Sequence, residues 1–481
     1  MKIVFVSSEV APFARTGGLG DVAGSLPKGL QKLGHEVSVF IPLYGRIRRD
    51  GFKLTATGES ATVPVRDKSV TGTVYSACLP ETEIPVYFIE NDGYYDREEL
   101  YVDPSTGKDY VDNCERFSFF SRAVLETVKS RGVRPDVIHC NDWQSAMIPA
   151  YLKSIYRDDD FFTGILSVLT IHNLGYQGLF PREDLQATGL DAGYYNKRQL
   201  EYYGNVNLLK AGIVFSDIIT TVSEKYAEEI QTEEFGAGLD GVLRDRGGDL
   251  YGIINGIDYS VWSPEVDGLI PARYGPDDLK GKNECKKHLL RKAGLINQGD
   301  APLIGMITRL AEQKGIELLI ECWEELMKLD IRLALLGSGE KRYQEALKDL
   351  TGRYPGKAYV YIGFDNRLSH EIEAGADMFL MPSRYEPCGL NQMYSLKYGT
   401  VPIVRKTGGL ADTINPSVGF VFEPYSSGEM LKSIREAVAA YGDRAGWAGL
   451  MKTGMSQDWS WDKSARQYSD LYRDALKATG C

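Results

Sequence analysis

The sequence predicts an α/β protein of two related, doubly wound domains with parallel sheets. Three observations carry that expectation. Apolar strand-like runs alternate with helix-like segments along nearly the whole chain, the pattern of successive βαβ units. An irregular stretch over residues 255–281, with Pro264, Pro271 and Pro276, separates two series of such units. Finally, Arg15-Thr-Gly-Gly-Leu-Gly-Asp21 and Lys406-Thr-Gly-Gly-Leu-Ala-Asp412 match at five of seven positions, each between a strand and helix-like sequence.

The first series opens with a strand at Lys2–Ser7, a helix over about Leu19–Leu33 and a strand at Glu36–Ile41. Asp136–His139 and Leu166–Ile171 follow as apolar strands closing on polar residues, and Ile213–Val222 reads as a buried strand ending at Ser223. The second series predicts strands at Leu303–Thr308, Arg332–Leu336, Ala358–Tyr361, Met378–Met381 and Val401–Val404, with helices at Ile316–Lys328 and Ser427–Tyr441. A last helix starts near Ser460, with helical spacing of Trp461, Ala465, Tyr468 and Leu471. The expected division is 1–250 and 251–457. Ligands in such folds sit beyond the carboxyl ends of the strands, so two facing domains would place one site in the cleft between them.

Composition narrows the function. The 481 residues are 43% apolar and 25% charged, as in an ordinary globular protein, and Lys+Arg 55 against Asp+Glu 66 gives a net charge of −11. That balance argues against nucleic-acid or anionic-membrane partners. Seven scattered cysteines without a C-x-x-C suggest neither a disulfide framework nor a zinc site, but reduced thiols in a cytoplasm. The apolar start Met1–Val6 is too short for a signal peptide, and no stretch approaches the ~20 residues that span a bilayer.

Several motifs carry chemistry. Gly18-x-Gly20-x-x-Ala23 fits the dinucleotide fingerprint formally. However, Ser8–Thr16 separates it from its strand, and the next strand ends in Phe40-Ile41-Pro42 without the ribose-binding acid. The glycines instead suit a helix start whose N–H groups face an anion, or a plain strand–helix turn. Arg309 and Lys314 follow a strand and can converge on a diphosphate, or pair with Glu312 or Glu317 in a solvated loop. Glu386, in Ser383-Arg-Tyr-Glu-Pro-Cys-Gly-Leu390, lies where a loop becomes a helix. It can hold sugar hydroxyls and balance positive charge at an anomeric carbon, or cap the helix dipole. His139 and His172-Asn173 stand at strand ends. Asp158-Asp159-Asp160 contains a D-x-D, but its setting reads as a solvated loop. P-loop, nucleophile-elbow and H-E-x-x-H strings are missing from the sequence.

These strings together resemble the bacterial glycogen synthases and starch synthases, retaining glycosyltransferases of the two-domain GT-B type. The resemblance rests on Ser7–Asp21, His139-Cys-Asn-Asp-Trp143, Ile171–Gly178, Asn255-Gly-Ile-Asp258 with Trp262-Ser-Pro, Thr308-Arg-Leu310 with Gln313-Lys-Gly, Glu386–Leu390 and Lys406–Leu410. It spans essentially the whole chain, in family order. It implies transfer of glucose from ADP-glucose to the non-reducing end of an α-1,4-glucan such as glycogen, with retention and without a metal or other cofactor.

By that resemblance Arg309 and Lys314 would bind the donor phosphates with help from Gly18, and Glu386 would be the catalytic carboxylate. His172 would support the sugar and the developing oxocarbenium ion. Arg15, Asp21, Asn173 and Asn255 would line the donor pocket, which Leu390 and the turn Thr407-Gly408-Gly409 would complete. Helix 458–481 would return to the N-terminal, acceptor-side domain; the C-terminal domain would hold the donor. Three positions depart from the family pattern. Arg15 stands for the usual Lys, Tyr394 replaces the second Glu of E-x7-E, and Phe364 replaces a Tyr that would stack on adenine. A nucleotide-sugar epimerase and a non-catalytic carbohydrate- or nucleotide-binding protein are the competing readings on this architecture. Acceptor contacts are open: Asn91–Tyr95, Tyr101 and Tyr110 would stack on glucose rings or simply pack.

Overall fold

The computed structural model describes residues 1–296 and 300–478. The chain divides into two compact units. Met1–Val222, Ala227–Gly256 and the helix from Trp461 form the first; Ser223–Tyr226 and Ile257–Ser460 form the second.

The first unit is built on a nine-stranded sheet. Its strands are β1 (Lys2–Val6), β2 (Glu36–Pro42), β3 (Thr55–Val65), β4 (Lys68–Cys78), β5 (Pro85–Glu90), β6 (Val137–Asn141), β7 (Leu166–Ile171), β8 (Ile218–Thr221) and β9 (Leu250–Gly252). Their order is β9-β8-β7-β6-β1-β2-β5-β4-β3. Every residue of β6 and β7 is buried, which is why these strands read as continuous apolar runs with no alternation. Pairing is parallel from β9 to β5; β4 then pairs antiparallel with both β5 and β3, a hairpin added to the edge.

Helix α1 (Gly18–Lys32) buries Leu19, Val22, Ala23, Leu26 and Leu30, a helical stripe. The C-terminal helix, Trp461–Ala478, packs on it. A Cβ on Gly29 would lie 2.8 Å from the Ala465 Cβ, so glycine permits that close approach.

The second unit holds six strands, all parallel: β10 (Leu303–Leu310), β11 (Arg332–Gly339), β12 (Ala358–Ile362), β13 (Met378–Met381), β14 (Val401–Arg405) and β15 (Phe420–Phe422). Their order, β12-β11-β10-β13-β14-β15, is the dinucleotide-fold order 3-2-1-4-5-6. The parallel part of the first sheet repeats it, since β5-β2-β1-β6-β7-β8 is the same sequence of positions. Both units are therefore Rossmann-like, and the chain has the GT-B class of architecture. Among the described residues, no helix is long and apolar enough to cross a membrane.

Three expectations need correction. Ile213–Val222 is not one strand: helix α2 (Leu208–Phe215) ends inside it, and β8 starts only at Ile218. Asn207 caps α2 through its side chain, and both elements are buried, so a single apolar run conceals the Ser216-Asp217 break. Ile316–Lys328 is two short helices, Ile316–Glu321 and Trp323–Met327, broken at Cys322. On the last helix Tyr472, not Leu471, completes the fully buried stripe. The β3–β4 hairpin escaped the sequence reading because much of each strand faces solvent; only Ala61, Val63 and Val65 of β3 are fully buried.

Candidate active site

In each unit the strand order reverses beside the first strand, and the loops leaving the two strands at that point frame a crevice. In the second unit these are β10 and β13. Arg309 lies near the end of β10, and Lys314 sits in the 3-10 turn that follows. Gly315 then takes φ +69°, and a Cβ there would lie 2.1 Å from the Pro382 carbonyl oxygen. Only glycine lets the β10 loop seat against the β13 loop. The seam is closed by Arg384 N donating to the Gln313 carbonyl (2.8 Å) and by Gln313 Nε2 donating to the Tyr385 carbonyl (3.3 Å). Arg309 Nη2 in turn donates to Gln313 Oε1 at 3.2 Å.

This seam brings Lys314 to Glu386. Its Nζ donates to both carboxylate oxygens, at 2.8 and 2.6 Å, and Ser383 Oγ donates to Oε2 at 2.9 Å. Glu386 is only 5% exposed, so the carboxylate is a buried charge whose lone pairs are matched. Removing either partner would strand the other.

The second T-G-G string holds this loop from behind. Gly409 N donates to the Glu386 carbonyl at 3.1 Å. Gly408 has φ +42°, and a Cβ there would meet the same carbonyl oxygen at 1.9 Å; one on Gly409 would meet the Cys388 carbonyl oxygen at 2.1 Å. Buried Thr407 precedes helix α4 (Gly408–Thr413). Leu390 stands at the start of α3 (Asn391–Lys397), where Asn391 Nδ2 ties back to the Ile307 carbonyl of β10 at 2.8 Å. Ser223 Oγ donates to the Pro387 carbonyl at 2.5 Å. The structure thus gathers Lys314, Glu386, Leu390, Thr407, Gly408 and Gly409 in one place, with Arg309 on the same seam.

Two departures gain a physical reading. Tyr394, eight residues after Glu386, is stacked on Trp262 at 4.0 Å, and His370 covers the other Trp262 face at 3.8 Å. That position serves packing. Phe364, just beyond β12, is 74% exposed.

In the first unit the reversal lies between β1 and β6. The β1 loop is organised by Glu9, which is buried and which the sequence reading did not single out. Its carboxylate accepts from Thr16 N (2.5 Å), Thr16 Oγ1 (2.7 Å), Gly17 N (3.3 Å) and Tyr101 Oη (2.9 Å). Burial raises the Glu9 carboxyl above the ordinary range, opposed by these bonds. Gly17 and Gly18 then open α1. Arg15 Nη1 donates to Asp21 Oδ1 at 2.7 Å, so the two predicted donor residues meet each other. Asp21 is pushed up by burial, with Arg15 opposing.

The β6 and β7 ends place His172. Asn141 Oδ1 lies 2.9 Å from its Nε2, and Asp142 Oδ1 accepts its backbone N–H at 2.7 Å. Asp142 adopts φ +53°, an uncommon setting for a non-glycine residue. Burial pushes its carboxyl up to about 7, against the His172 and Asn173 backbone bonds that favour the charged form. Burial drives His172 down to about 3, so its ring is neutral at pH 7. Asn173 Oδ1 accepts from Gly175 N at 2.9 Å, pinning the turn after His172. Asn255, beyond β9, is buried, and its Oδ1 has no hydrogen-bond partner among the described residues. Asp142 was also missed, although a carboxylate directly after a fully buried strand at the switch point was a legible signal.

Other candidates prove structural. His139 is buried, with Nε2 at 2.5 Å from Thr170 Oγ1 and Nδ1 at 2.7 Å from Tyr472 Oη. Asp159 pairs with Lys129 and caps its own turn through Phe161 N. Tyr94 and Tyr95 are buried, their hydroxyls donating to Glu115 and to the Arg116 carbonyl. Among the described residues, no three His, Cys, Asp or Glu side chains converge as metal ligands would. Six cysteines are free thiols, all buried but Cys78; Cys481 lies outside the described residues.

With this geometry in place, known proteins decide the family. Residues 2–245 match the starch synthase catalytic domain, and residues 290–448 the glycosyl transferases group 1. A glycogen synthase of Syntrophotalea carbinolica is 45% identical, over 99% of both chains. The chain belongs to the glycogen and starch synthase family. It is a glycosyltransferase of glycogen or starch synthesis. A second family member, the glycogen synthase of Thermotoga maritima, is 44% identical over the full length of both. The catalytic domain of starch synthase IV from Arabidopsis thaliana, solved bound to ADP and acarbose, shares the fold with a TM-score of 0.90 and 33% identity, over 99% of each chain.

Proposed function

We propose that this synthase transfers glucose from ADP-glucose to the non-reducing end of an α-1,4-glucan, with retention at the anomeric carbon and without a metal. The observation that carries the reading is the Lys314–Glu386–Ser383 cluster at the reversal point of the second sheet. The adenine nucleotide is supported by the ADP held by the related plant enzyme.

Departure of ADP concentrates negative charge on a diphosphate, while positive charge grows on the sugar. Arg309 and Lys314 are the cations assigned to the diphosphate, with the N–H groups at Gly18 adding a helix start. Glu386, fixed by two bonds from Lys314, faces the donor glucose and stabilises the oxocarbenium ion without needing to reorganise. His172, neutral and gripped by Asn141 and Asp142, contacts the sugar as a hydrogen-bonding group. Asp142 holds the His172 backbone beside the sugar. Asn255 offers a buried amide oxygen to a donor hydroxyl, and Asn173 shapes the turn next to His172. Arg15 and Asp21 act as an ion pair at the mouth of α1, which answers the loss of the usual Lys. Leu390 and Thr407–Gly409, beside Glu386, line the donor glucose, and exposed Phe364 presents a ring for adenine. The first unit is the acceptor side and the second the donor side. Free thiols fit a reducing cytoplasm.

The test is incubation with glycogen and labelled ADP-glucose or UDP-glucose. Labelled polymer is expected from ADP-glucose, undiminished by EDTA and lost in Glu386→Ala. No incorporation from either donor would reject the reading, and turnover without glycogen would favour an epimerase.

A further inference from the structure

We infer that Asn141 is a positioning residue that fixes His172 in its Nε2–H tautomer, so that Nδ1 presents a lone pair to a hydroxyl of the sugar. The inference rests on the reading above that His172 faces the sugar. Three facts on this side chain combine to give it.

The amide orientation comes first. Asn141 is fully buried, and Nδ2 donates to the Val6 carbonyl of β1 at 3.0 Å. A carbonyl oxygen only accepts, so the amide nitrogen must be the atom facing Val6. The other end of the amide, Oδ1, is then the atom 2.9 Å from His172 Nε2. An amide oxygen also only accepts, so Nε2 must carry the proton. The backbone of Asn141 is locked as well: its N–H donates to Ser145 Oγ at 2.7 Å, and Ser145 Oγ donates back to its carbonyl at 2.8 Å. The chain Val6–Asn141–His172 thus transmits one fixed donor–acceptor direction from the sheet to the ring.

The ring's other nitrogen follows. A neutral imidazole carries one N–H, so with Nε2 protonated Nδ1 is an acceptor. Among the described residues, none hydrogen-bonds Nδ1. The backbone grip of Asp142 on His172 N, at 2.7 Å, keeps the ring from sliding along the sheet. A hydroxyl is the sugar group that donates to such a lone pair. An imidazole with the opposite tautomer would offer an N–H at that point and reverse the bond, making the hydroxyl the acceptor and turning its proton elsewhere. Second-layer amides acting this way orient a contacting group without touching substrate themselves.

The test is ¹⁵N NMR of the full chain with labelled histidine, which has five imidazoles to resolve, the His172 signals being assigned by their loss in His172→Gln. The wild type is expected to show a protonated Nε2 and an unprotonated Nδ1. Asn141→Leu, which removes the acceptor, should shift His172 toward a mixture or the Nδ1–H form and lower kcat roughly 10- to 100-fold with a smaller change in KM. Asn141→Asp retains an oxygen facing Nε2 and should keep the Nε2–H signature. A wild-type Nδ1–H ring overturns the inference before any variant is made. An Asn141→Leu protein with unchanged tautomer also overturns it. A changed tautomer with unchanged kcat overturns the sugar contact while leaving the transferase reading intact; absence of transfer in the wild type would strike that reading instead.

Discussion

The same short string behaves differently in the two units. At Thr16-Gly17-Gly18 the glycines open α1, and the first has room beside it: Gly17 has extended backbone at φ −164°, and an added Cβ would meet nothing within 4 Å. At Thr407-Gly408-Gly409 both glycines are consumed by contact with the Glu386–Cys388 backbone, at 1.9 and 2.1 Å from an added Cβ. One copy leaves space beside a helix start, where a ligand can approach. The other spends its glycines on holding the Glu386 loop. The two strings also stand at different places in their sheets, after the first strand in one unit and after the fifth in the other, so the neighbours decide what each glycine is for.

The sharpest way to break this contrast is a matched pair of substitutions. Gly408→Ala forces a side chain into the Glu386 carbonyl at positive φ, and kcat should fall roughly 100-fold or more with a loss of about 2–4 kcal/mol in stability. Gly17→Ala should leave the unfolding free energy, read from urea curves, within about 0.5 kcal/mol of wild type and act only on the donor KM. Equal effects at the two sites would erase the distinction.

A smaller effect is expected at Phe364. Because its ring is exposed, Phe364→Ala should not alter the melting temperature, yet it should raise the donor KM roughly tenfold if base stacking contributes ~1–3 kcal/mol. An unchanged KM would remove Phe364 from the donor side.

The smallest expected effect separates the electrostatics of the two units. The Glu386 loop of the second relies on the Lys314 ion pair, whereas at the β6 and β7 ends of the first, burial favours the neutral forms of His172 and Asp142. Asp142 keeps its proton up to about 7 in the fold but releases it near 3.8 when unfolded. Its burden on stability therefore grows as pH rises from about 4 to about 7 and is constant above. Asp142→Asn should gain stability relative to wild type over that interval, read from urea midpoints at pH 4.5, 6 and 7.5. A gap independent of pH would show that Asp142 ionises normally.

Much of this was legible in the chain. The buried strands β6 and β7 announced themselves as apolar runs, and His172 could be singled out because it directly follows one, Lys314 and Glu386 because they lie in the loops after β10 and β13. What stayed hidden depends on contacts distant in sequence. Nothing near Glu9 reveals that its carboxylate gathers Thr16, Gly17 and Tyr101, since Tyr101 is 92 residues away. The Lys314–Glu386 pair joins positions 72 residues apart, so two residues read as separate agents act as one unit. The β3–β4 hairpin was missed for a different reason: strands wetted along much of their length lack the apolar signal that betrays buried ones.

The most direct test of the whole account is the configuration of the bond made. Incubating the protein with ADP-glucose and a short malto-oligosaccharide, then reading the new anomeric proton by NMR, should show chain extension through an α-1,4 linkage. A β-linked product, or consumption of donor with no extension, would contradict it.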